Sequence, residues 1–479
     1  MLYYRHGKKY NQERIVNVDI SRREFIGCGL TAAAGAALPG CLSTSEPLNA
    51  SAPVPILRPA GFRKPGDKIR MAFIGSGGRG GANLNEFLNL GEEIVALCDV
   101  DRRNLAAAAK RVAKQYPKVR RYQDWREMLD REKSLDAVVV STPDHMHAAC
   151  AIAAMERGCH VYVEKPLVRT WWEAERFREV AKKCGVVTQM GNNGNGMGAQ
   201  RRNIEILQSG VLGEIREIHV TTDRPIWPQG LNRPSGADTV PDALDWNLWL
   251  GVAPKRPYKK GVYHAFNWRG WFDFGTGAMG DIACHAMSFF WRGLDLRDVV
   301  SVETVKSTPL FSETYPKATT VRVVVASGRQ TRPVDIYWYD GNTSPSTATC
   351  RRLTNGRLDK MAGTFISGTE GAFWNGQVMM KGESKFVRHQ DHPATKSIPV
   401  SLPRVQNHHW EFAEAVRGGA RPFSDWDHSV PLTEMVLLGC ISQRVPGRLD
   451  WDANANRFRN SDAANVLLTP YVRPTWTIG

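Results

Sequence analysis

The chain has 479 residues, and its 42% content of hydrophobic residues is enough for the cores of two or three ordinary domains. Its formal net charge is +15, but the basic residues are spread along the sequence and no nucleic-acid-binding motif accompanies them. The composition therefore argues against a nucleic-acid-binding protein and favours a globular protein with a mild preference for acidic glycans or anionic surfaces.

The first 41 residues have the composition of an export signal. Arg22 and Arg23 are followed by a run of small and apolar residues from Phe25 to Leu38. That run is too short for a membrane span, which needs about 20 apolar residues, and the pattern is typical of a signal peptide. The motif Ser-Arg-Arg-Glu-Phe-Ile resembles a twin-arginine signal, which implies export to the periplasm by the twin-arginine machinery.

Cys41 is a candidate for a lipid anchor, because Leu38-Pro39-Gly40-Cys41 resembles a lipoprotein processing site. Pro39 departs from the small or β-branched residue that is usual there, and ordinary signal cleavage is the alternative. Residues 42–66 are rich in Ser, Pro and Ala and have no periodicity, which predicts a tether between the signal and the first domain.

The nine cysteines are scattered singly, without a C-x-x-C pair or the spacing of a zinc site. Cys28 and Cys41 belong to the export signal, and the other seven are an odd number, so no disulfide framework is predicted. This usage fits a protein that folds in a reducing compartment before it is exported.

A dinucleotide-binding unit is predicted from residue 67 onward. The apolar strand IRMAFIG runs into the motif G-x-G-x-x-G, and a helical pattern follows. In such a unit the first glycine permits a tight turn, the second lets the backbone approach a pyrophosphate, and the third lets the helix pack on the strand. The loop residues of this motif are Gly75, Ser76, Gly77, Gly78, Arg79 and Gly80.

Asp99 ends the second predicted strand, 24 residues after Gly75. A carboxylate there can accept a hydrogen bond from the ribose 2′-hydroxyl of NAD, whereas it would repel the 2′-phosphate of NADP. The sequence therefore predicts NAD as the cofactor, with NADP as the less favoured alternative. Arg102 and Arg103 follow closely and could soften this preference, although a solvated helix start also explains them.

Strand and helix patterns alternate with short loops up to residue 190. This alternation predicts a Rossmann domain over residues 67–190, with a doubly wound parallel sheet. Ligands of such sheets bind beyond the carboxyl ends of the strands. Two segments lie at those ends, namely Thr142-Pro143 and Glu164-Lys165-Pro166.

The motif order resembles the Gfo/Idh/MocA oxidoreductases, which include glucose–fructose oxidoreductase and inositol dehydrogenase. The resemblance rests on the glycine motif, the Asp-terminated strand, STPDHMHA and GCHVYVEKP, and it covers nearly the whole chain after residue 67. It implies that Thr142-Pro143, His147 and Glu164 border the nicotinamide and that Lys165 contacts the reacting hydroxyl. An ammonium group at that place would stabilise the alkoxide that develops as hydride leaves.

Residues 191–479 carry strand patterns without regular helices between them. They predict a substrate-binding α+β domain with an open, mainly antiparallel sheet, so the fold class of the whole chain is α/β. The resemblance implies that the solvent-facing side of this sheet forms the contacts of a homo-oligomer.

Asp281 and His285 are four residues apart, so a helix would place them on one face. They follow a Gly-rich turn and match the D-x-x-x-H pair to which the resemblance assigns catalysis. A histidine can take the hydroxyl proton as hydride leaves, and the aspartate can orient the imidazole or bind a neighbouring hydroxyl. The structural alternative is a helix N-terminal aspartate with a core histidine.

Weaker candidates for substrate contacts lie in the same domain, where aromatic residues alternate with polar groups in a way that suits a sugar ring. They are Asn192, Arg201, Tyr263, His264, Trp268 and Arg269. No metal site is predicted, because the pairs His145/His147 and His408/His409 have spacings that direct their side chains apart.

These features together predict an exported, NAD(P)-dependent oxidoreductase that acts on a hydroxyl of a small carbohydrate, either a sugar or a glycoside. Free NAD is scarce outside the cytoplasm, so the cofactor would stay tightly bound and be regenerated within the catalytic cycle. The hydride could pass to a second sugar, or the electrons of a keto glycoside could pass to another acceptor.

The alternative is a redox-neutral, NAD-dependent glycosidase or lyase. In that route a transient ketone acidifies the neighbouring C–H bond, the aglycone is eliminated, water adds and the ketone is reduced again. One NAD-dependent glycosidase family resembles the chain in fold and export but departs from E-K-P at the lysine, which this chain keeps as Lys165. A glycan-binding protein without turnover is a third hypothesis, which intact Lys165, Asp281 and His285 disfavour.

Overall fold

The computed structural model describes residues 61–478. The predicted export signal at residues 1–41, including Cys41, and the tether up to residue 60 lie outside the described residues. Within the described part, no helix is both long and apolar enough to cross a bilayer.

The first layer is a sheet of six parallel strands in the order β3-β2-β1-β4-β5-β6, as the alternating pattern predicted. The strands are β1 (Arg70–Ile74), β2 (Glu93–Cys98), β3 (Arg120–Tyr122), β4 (Ala137–Val140), β5 (His160–Val163) and β6 (Thr188–Met190). The helices that connect them are α1 (Gly78–Asn89), α2 (Arg102–Val112), α3 (Trp125–Arg131), α4 (His147–Glu156) and α5 (Trp171–Cys184). The strand order reverses between β1 and β4, which creates the crevice where doubly wound sheets bind ligands.

Local sequence explains these elements. Every residue of β4 is buried, as expected for a central strand that is covered on both faces. Helix α5 begins at a capping box formed by Thr170 and Glu173, and it ends at Gly185 in the left-handed conformation.

The second layer is a ten-stranded sheet with the order β14-β13-β12-β11-β7-β10-β9-β8-β15-β16. Its strands are β7 (Ile215–Thr221), β8 (Leu296–Ser307), β9 (Thr319–Ser327), β10 (Gln330–Tyr339), β11 (Thr364–Gly368), β12 (Gly371–Trp374), β13 (Gln377–Met380), β14 (Val387–Arg388), β15 (Leu449–Asp452) and β16 (Arg457–Phe458). All neighbouring pairs are antiparallel except β7 and β10, which run parallel. The predicted α/β class with a mainly antiparallel second sheet is confirmed.

The segment after β6 also contains nine helices within the described residues. They are α6 (Gly198–Gln208), α7 (Trp246–Leu250), α8 (Gly277–Ala286), α9 (Ser288–Gly293), α10 (Thr347–Leu353), α11 (Pro393–Lys396), α12 (His408–Val416), α13 (Trp426–Ser442) and α14 (Asp462–Val466). Three short 3-10 turns lie close to the cavity described below, at Asp144–Met146, Asn193–Gly196 and Asn267–Gly270.

Helix α12 packs on the first sheet, although its sequence lies more than 200 residues beyond that sheet. Phe412 is fully buried in one hydrophobic cluster with residues of β1 and α1. Its ring lies 6.0 Å from that of Phe87 and 5.9 Å from that of Tyr162, between centroids. The core of the Rossmann sheet is therefore completed by a segment close to the C-terminus.

The seven cysteines of residues 61–478 are all buried, and no disulfide joins any two of them. Burial raises the pKa of the Cys284 thiol to about 12 and that of Cys150 well above its usual value. A thiolate is therefore strongly disfavoured at these positions, and both residues behave as small apolar core residues.

The packing of α12 predicts that Phe412→Ala lowers the free energy of unfolding by about 3–5 kcal/mol, because a fully buried phenylalanine would leave a cavity. Chemical denaturation followed by circular dichroism measures this change. Val466→Ala, at a side chain that is 73% exposed, is the control and should change the stability by no more than about 0.5 kcal/mol. Equal stability of both variants would contradict the role of α12 in the core.

Candidate active site

A cavity of about 430 Å³ lies between the carboxyl ends of β1, β4 and β5 and the segment formed by residues 264–269 and α8. This volume is typical of cofactor and small-ligand sites. Predicted residues from both domains line it, namely Gly75, Gly77, Gly78, Arg79, Asp99, Thr142, Pro143, His147, Glu164, Lys165, His264, Trp268, Arg269 and His285.

Two glycines of the loop, Gly75 and Gly80, are packed too closely against backbone atoms for a side chain. Gly75 has a φ of +81°, and an added Cβ would lie 2.6 Å from the carbonyl oxygen of Ser141. An added Cβ at Gly80, which is not at the cavity surface, would lie 1.8 Å from the carbonyl oxygen of Gly75. No side chain caps the N-terminus of α1 at Gly77, so the first turn of this helix can offer its N–H groups to an anion such as a pyrophosphate.

Asp99 connects the end of β2 to this loop. Its carboxylate accepts backbone N–H groups from Ser76 at 2.9 Å, Gly77 at 3.1 Å and Asp101 at 2.9 Å. Burial raises the pKa of Asp99, and these hydrogen bonds only partly oppose that shift. Asp99 therefore has a structural role that the sequence did not reveal, because it holds the loop in place in addition to lining the cavity.

The two arginines after Asp99 are directed away from the cavity. Arg103 forms an ion pair with Asp101 at 2.6 Å, and Arg102 donates to the carbonyl group of Asp242. Neither lines the cavity. Since no lysine or arginine forms an ion pair with Asp99 within residues 61–478, the site favours a ribose hydroxyl over a 2′-phosphate.

Lys165 reaches across the cavity to the second domain. Its Nζ donates to Oδ1 of Asp281 at 2.7 Å and to the backbone carbonyl of the same residue at 3.0 Å. Arg269 Nε donates to the same Oδ1 at 3.0 Å. Burial opposes the ionisation of Asp281, but the two cations outweigh it and lower its pKa below the usual value. Asp281 does not itself line the cavity, and its role here is to hold Lys165 and Arg269.

Glu164 directly precedes Lys165 at the end of β5, and its carboxylate is paired. Its Oε1 accepts hydrogen bonds from Arg79 and Asn83, both at 2.9 Å. Burial disfavours the charged form, yet Arg79 and Asn83 hold the pKa of Glu164 below its usual range. Glu164 therefore ties β5 to the glycine loop through Arg79.

His147 joins the two strand-end loops. Its Nδ1 lies 2.8 Å from the carbonyl oxygen of Pro166, and its Nε2 lies 2.9 Å from that of Thr142. Burial lowers the pKa of His147, and the hydrogen bonds to the two carbonyl oxygens oppose that shift. This arrangement indicates a positioning role rather than a metal ligand.

His285 lies on α8 and faces the cavity, one turn beyond Asp281 as predicted. Its side chain is exposed to the cavity, but the protein around the ring and the charge of Lys165 lower its pKa to about 4. The imidazole is therefore neutral at physiological pH and can accept a proton.

The second domain contributes an aromatic wall. Phe266 is 44% exposed, and the Arg269 guanidinium lies 4.4 Å from its ring centroid and 4.3 Å from that of Trp268. His264 Nε2 lies 3.1 Å from Oδ2 of Asp101, which links this wall to the end of β2.

Three residues predicted to contact substrate lie in the core instead. Arg201 is 1% exposed and forms an ion pair with Glu411 at 2.6 Å. Tyr263 is 1% exposed and packs against Trp271, with 4.9 Å between ring centroids. Asn192 is also 1% exposed. None of the three lines the cavity, because each is enclosed by other side chains.

The cavity also contains side chains that the sequence analysis did not select, namely Asn104, Gln123, Asp144, Trp249 and Phe266. Asp144 directly follows Thr142-Pro143, so the rule that ligands bind at carboxyl strand ends could have identified it. Phe266 and Trp249 come from a turn and a short helix of the second domain, where only the tertiary structure shows which face meets the cavity.

Comparisons with known proteins agree with this geometry. Residues 69–192 match the oxidoreductase family described as Gfo/Idh/MocA, NAD-binding Rossmann fold, and residues 204–305 match the C-terminal alpha/beta domain of the same oxidoreductases. The chain therefore carries Gfo/Idh/MocA oxidoreductase domains, and the predicted NAD-binding Rossmann domain is confirmed.

Curated relatives are similar over part of their length. A glycosyl hydrolase family 109 protein of Shewanella pealeana is 32% identical over 209 residues, which are 41% of this chain and 44% of that protein. An alpha-N-acetylgalactosaminidase of Shewanella oneidensis is 31% identical over 210 residues, with the same coverage. The chain thus aligns with less than half the length of these relatives.

Solved structures share the fold. The WlbA dehydrogenase of Bordetella pertussis, in complex with NADH and UDP-GlcNAcA, has a TM-score of 0.56 at 18% identity, covering 81% of this chain and 99% of that one. An inositol dehydrogenase homolog of Azotobacter vinelandii, with NADH and myo-inositol, has a TM-score of 0.53 at 17% identity, covering 82% and 100%.

The close contact between α1 and β1 predicts the effect of Gly80→Ala. The new methyl group would collide with the backbone carbonyl of Gly75. Because a backbone atom cannot turn away as a flexible side chain can, the loop and the N-terminus of α1 must move. We expect NAD affinity to fall by about tenfold or more, measured by isothermal titration calorimetry on protein from which any bound nucleotide has been removed. Gly198→Ala is the control, because the nearest tertiary neighbour of an added Cβ there would be the flexible Arg404 side chain, at 3.5 Å. Unchanged NAD affinity in Gly80→Ala would exclude this loop as the pyrophosphate site.

Proposed function

We propose, on the premise that the chain carries Gfo/Idh/MocA oxidoreductase domains, that it is an NAD-dependent enzyme that oxidises a ring hydroxyl of a sugar or glycoside. The observation that carries this proposal is the presence of Lys165 and the neutral His285 in one cavity with the glycine loop. The cofactor, the proton acceptor and a cation for the developing alkoxide can then act on one substrate.

The glycine loop, the N-terminus of α1 and Asp99 would hold NAD, since they offer a close backbone approach, N–H groups and a ribose acceptor. Bound there, NAD would supply a hydride acceptor that could also return the hydride. The chain itself must position the hydroxyl, receive its proton and stabilise the negative charge on its oxygen.

Lys165 stabilises the charge on the substrate oxygen. Its ammonium group is fixed by two hydrogen bonds to Asp281, which leaves a third N–H for the substrate. A donor that is already oriented does not have to reorganise when charge develops, which is the main advantage of such electrostatic stabilisation. Asp281 and Arg269 thus serve by positioning Lys165.

His285 receives the hydroxyl proton. A pKa of about 4 keeps the ring unprotonated at neutral pH but makes it a weak base, so its exposure to the cavity matters because it lets the proton pass on to solvent. The carboxylate of Asp281 is paired with the side chains of Lys165 and Arg269. It therefore supports the reaction by positioning Lys165 rather than by contact with the imidazole.

The wall formed by Phe266 and Trp268 supports a carbohydrate substrate. A half-exposed aromatic ring beside charged and amide groups suits a molecule with one apolar face and many hydroxyls. The WlbA and inositol dehydrogenase structures were determined with ligands of this polyhydroxylated kind.

A second candidate is redox-neutral cleavage of a glycoside, in which the ketone formed by oxidation is reduced again at the end of the cycle. The similarity to glycosyl hydrolase family 109 proteins and to an alpha-N-acetylgalactosaminidase favours it. An N-acetyl-α-galactosaminide is therefore the first glycoside to test.

We further propose that the protein is exported with NAD already bound, after folding in the cytoplasm. The twin-arginine-like motif at Arg22 and Arg23 supports this, as does the need to recycle a cofactor that is scarce outside the cell. A lipid on Cys41 would keep it at the membrane, and the ten-stranded sheet offers a broad face for a homo-oligomer.

Purified protein, prepared without added nucleotide and then denatured, should release about one NAD per chain if the cofactor is retained and recycled. The same preparation should act without added NAD on p-nitrophenyl glycosides of N-acetylgalactosamine, N-acetylglucosamine, galactose or glucose. Bound NADH is followed by absorbance, and cleavage by released nitrophenolate. A preparation that is empty and needs added NAD for every turnover would contradict the recycling proposal but not the oxidoreductase assignment.

Lys165→Met should reduce the rate of hydride transfer by about 100-fold to 1000-fold, the cost of removing one charge-stabilising donor. The bound NAD content should stay near the wild-type value, because the side chain does not support the glycine loop. Single-turnover formation of NADH measures the rate. Lys118→Met, at an exposed surface lysine, is the control and should be fully active. A fully active Lys165→Met would remove Lys165 from the mechanism.

A further inference from the structure

Asp144 is a second acidic group in the cavity that the mechanism above does not use. It begins the 3-10 turn Asp144–Met146 at the carboxyl end of β4, is 1% exposed and lines the cavity. Its Oδ2 accepts a hydrogen bond from Thr276 Oγ1 at 2.8 Å. Its Oδ1 is buried and has no hydrogen-bonding partner within residues 61–478.

Thr276 is placed to serve Asp144 rather than its own helix. It occupies the N-cap position of α8, which carries Asp281 and His285, yet its side chain makes no capping hydrogen bond. An N-cap threonine usually accepts a hydrogen bond from a backbone N–H of the first turn. The Thr276 hydroxyl makes no such bond and donates to Asp144 instead. Asp144 is therefore held through one oxygen by a specific hydrogen bond, while its other oxygen is buried and has no partner within the described residues.

The groups around Asp144 disfavour its negative charge. Asp281 is already ionised beside it, and burial together with this neighbour raises the pKa of Asp144 to about 7, against the opposing influence of Lys165. Asp144 can thus carry a proton at neutral pH and can also lose it. The titratable and charged groups that face it are Lys165, Arg269, Asp281, Cys284, Tyr315 and Cys440.

Oδ1 is the oxygen that would carry the proton of a neutral Asp144. Oδ2 already accepts the Thr276 hydroxyl, so a protonated carboxyl would present its O–H from Oδ1. An unpartnered buried polar atom in a folded protein calls for an explanation, and a catalytic role is one of those known.

We propose that Asp144 is a further catalytic residue of this cavity, which gives its proton to the leaving oxygen of a glycoside during elimination. The C–O bond to the leaving group breaks with its electron pair on that oxygen, and the proton from Oδ1 forms the new O–H bond. The neighbouring C–H bond gives its electrons to the C=C bond and its proton to the base, for which His285 is the candidate. Thr276 and Lys165 stabilise the carboxylate that remains, and water returns its proton.

This inference rests on the proposed function and favours its redox-neutral form. Simple oxidation of a hydroxyl requires one base and a cation, which His285 and Lys165 provide. Elimination also requires an acid for the leaving oxygen, and Asp144 is a carboxyl in the cavity that can hold a proton at neutral pH.

Asp144→Asn is the decisive variant, because its amide can keep the hydrogen bond from Thr276 but has no proton to release. The test compares methyl and p-nitrophenyl glycosides of a sugar that the wild-type protein cleaves. A methyl glycoside needs an acid for its leaving oxygen, whereas p-nitrophenolate leaves without one. We expect cleavage of the methyl glycoside to fall by about 100-fold or more, and cleavage of the p-nitrophenyl glycoside to fall less than about tenfold.

The control is Asp298→Asn, an exposed residue with the same change of charge, which should cleave both glycosides normally. Equal losses on both glycosides in Asp144→Asn would indicate a purely structural role and overturn the proposal, as would no loss on either. NAD binding to Asp144→Asn, measured by calorimetry, should match that of the wild type.

The wild-type protein tests the proposal without any substitution. Because Asp144 must be protonated to act, cleavage of the methyl glycoside should decline as the pH rises through about 7, while cleavage of the p-nitrophenyl glycoside should not. Parallel pH profiles would overturn the role of Asp144. Hydride transfer by the wild type without cleavage of any glycoside would also overturn it, but would leave the oxidoreductase function standing.

Discussion

The ion pair between Lys165 and Asp281 joins the two halves of the cavity, and most of the site depends on it. Lys165 follows β5 of the Rossmann sheet, whereas Asp281 lies on α8 of the second domain, and both side chains are largely buried. Removing Asp281 would leave both Lys165 and Arg269 without this partner, and breaking a buried ion pair in this way typically costs about 3–5 kcal/mol. The same contact therefore fixes the position of the reactive ammonium group and the distance between the domains.

The buried carboxylates around this pair differ in their partners, and those partners separate their roles. Asp281 and Glu164 each face a cation, which keeps them ionised. Asp99 is held by backbone N–H groups and fixes the glycine loop. Asp144 has only a hydroxyl partner beside an ionised neighbour, so it alone of these four combines a raised pKa of about 7 with an unengaged oxygen. Three acidic residues at one end of the Rossmann sheet and one on α8 thus perform different tasks.

The prediction from sequence was most successful where function depends on local pattern. Most of the glycine motif, the strand-end lysine and His285 line one cavity, and Asp281 lies one turn before His285 on the same helix without lining that cavity. It was least successful for Arg201, Tyr263 and Asn192, which lie in the core. Polar and aromatic residues that follow a strand have no local signal that distinguishes a cavity wall from a buried ion pair, because that difference depends on distant partners such as Glu411.

The sequence by itself determined the order of the elements and the residues that a dinucleotide requires, because hydrophobic periodicity and glycine positions act over a few neighbours. Only the tertiary structure decided that Asp144 shares a hydrogen bond with Thr276, and that α12 completes the core of the first sheet. Those contacts join residues more than 130 positions apart, and the charges that set each pKa come from segments that meet only after folding. Burial and through-space electrostatics, which no local pattern records, therefore decided which side chains can carry a proton.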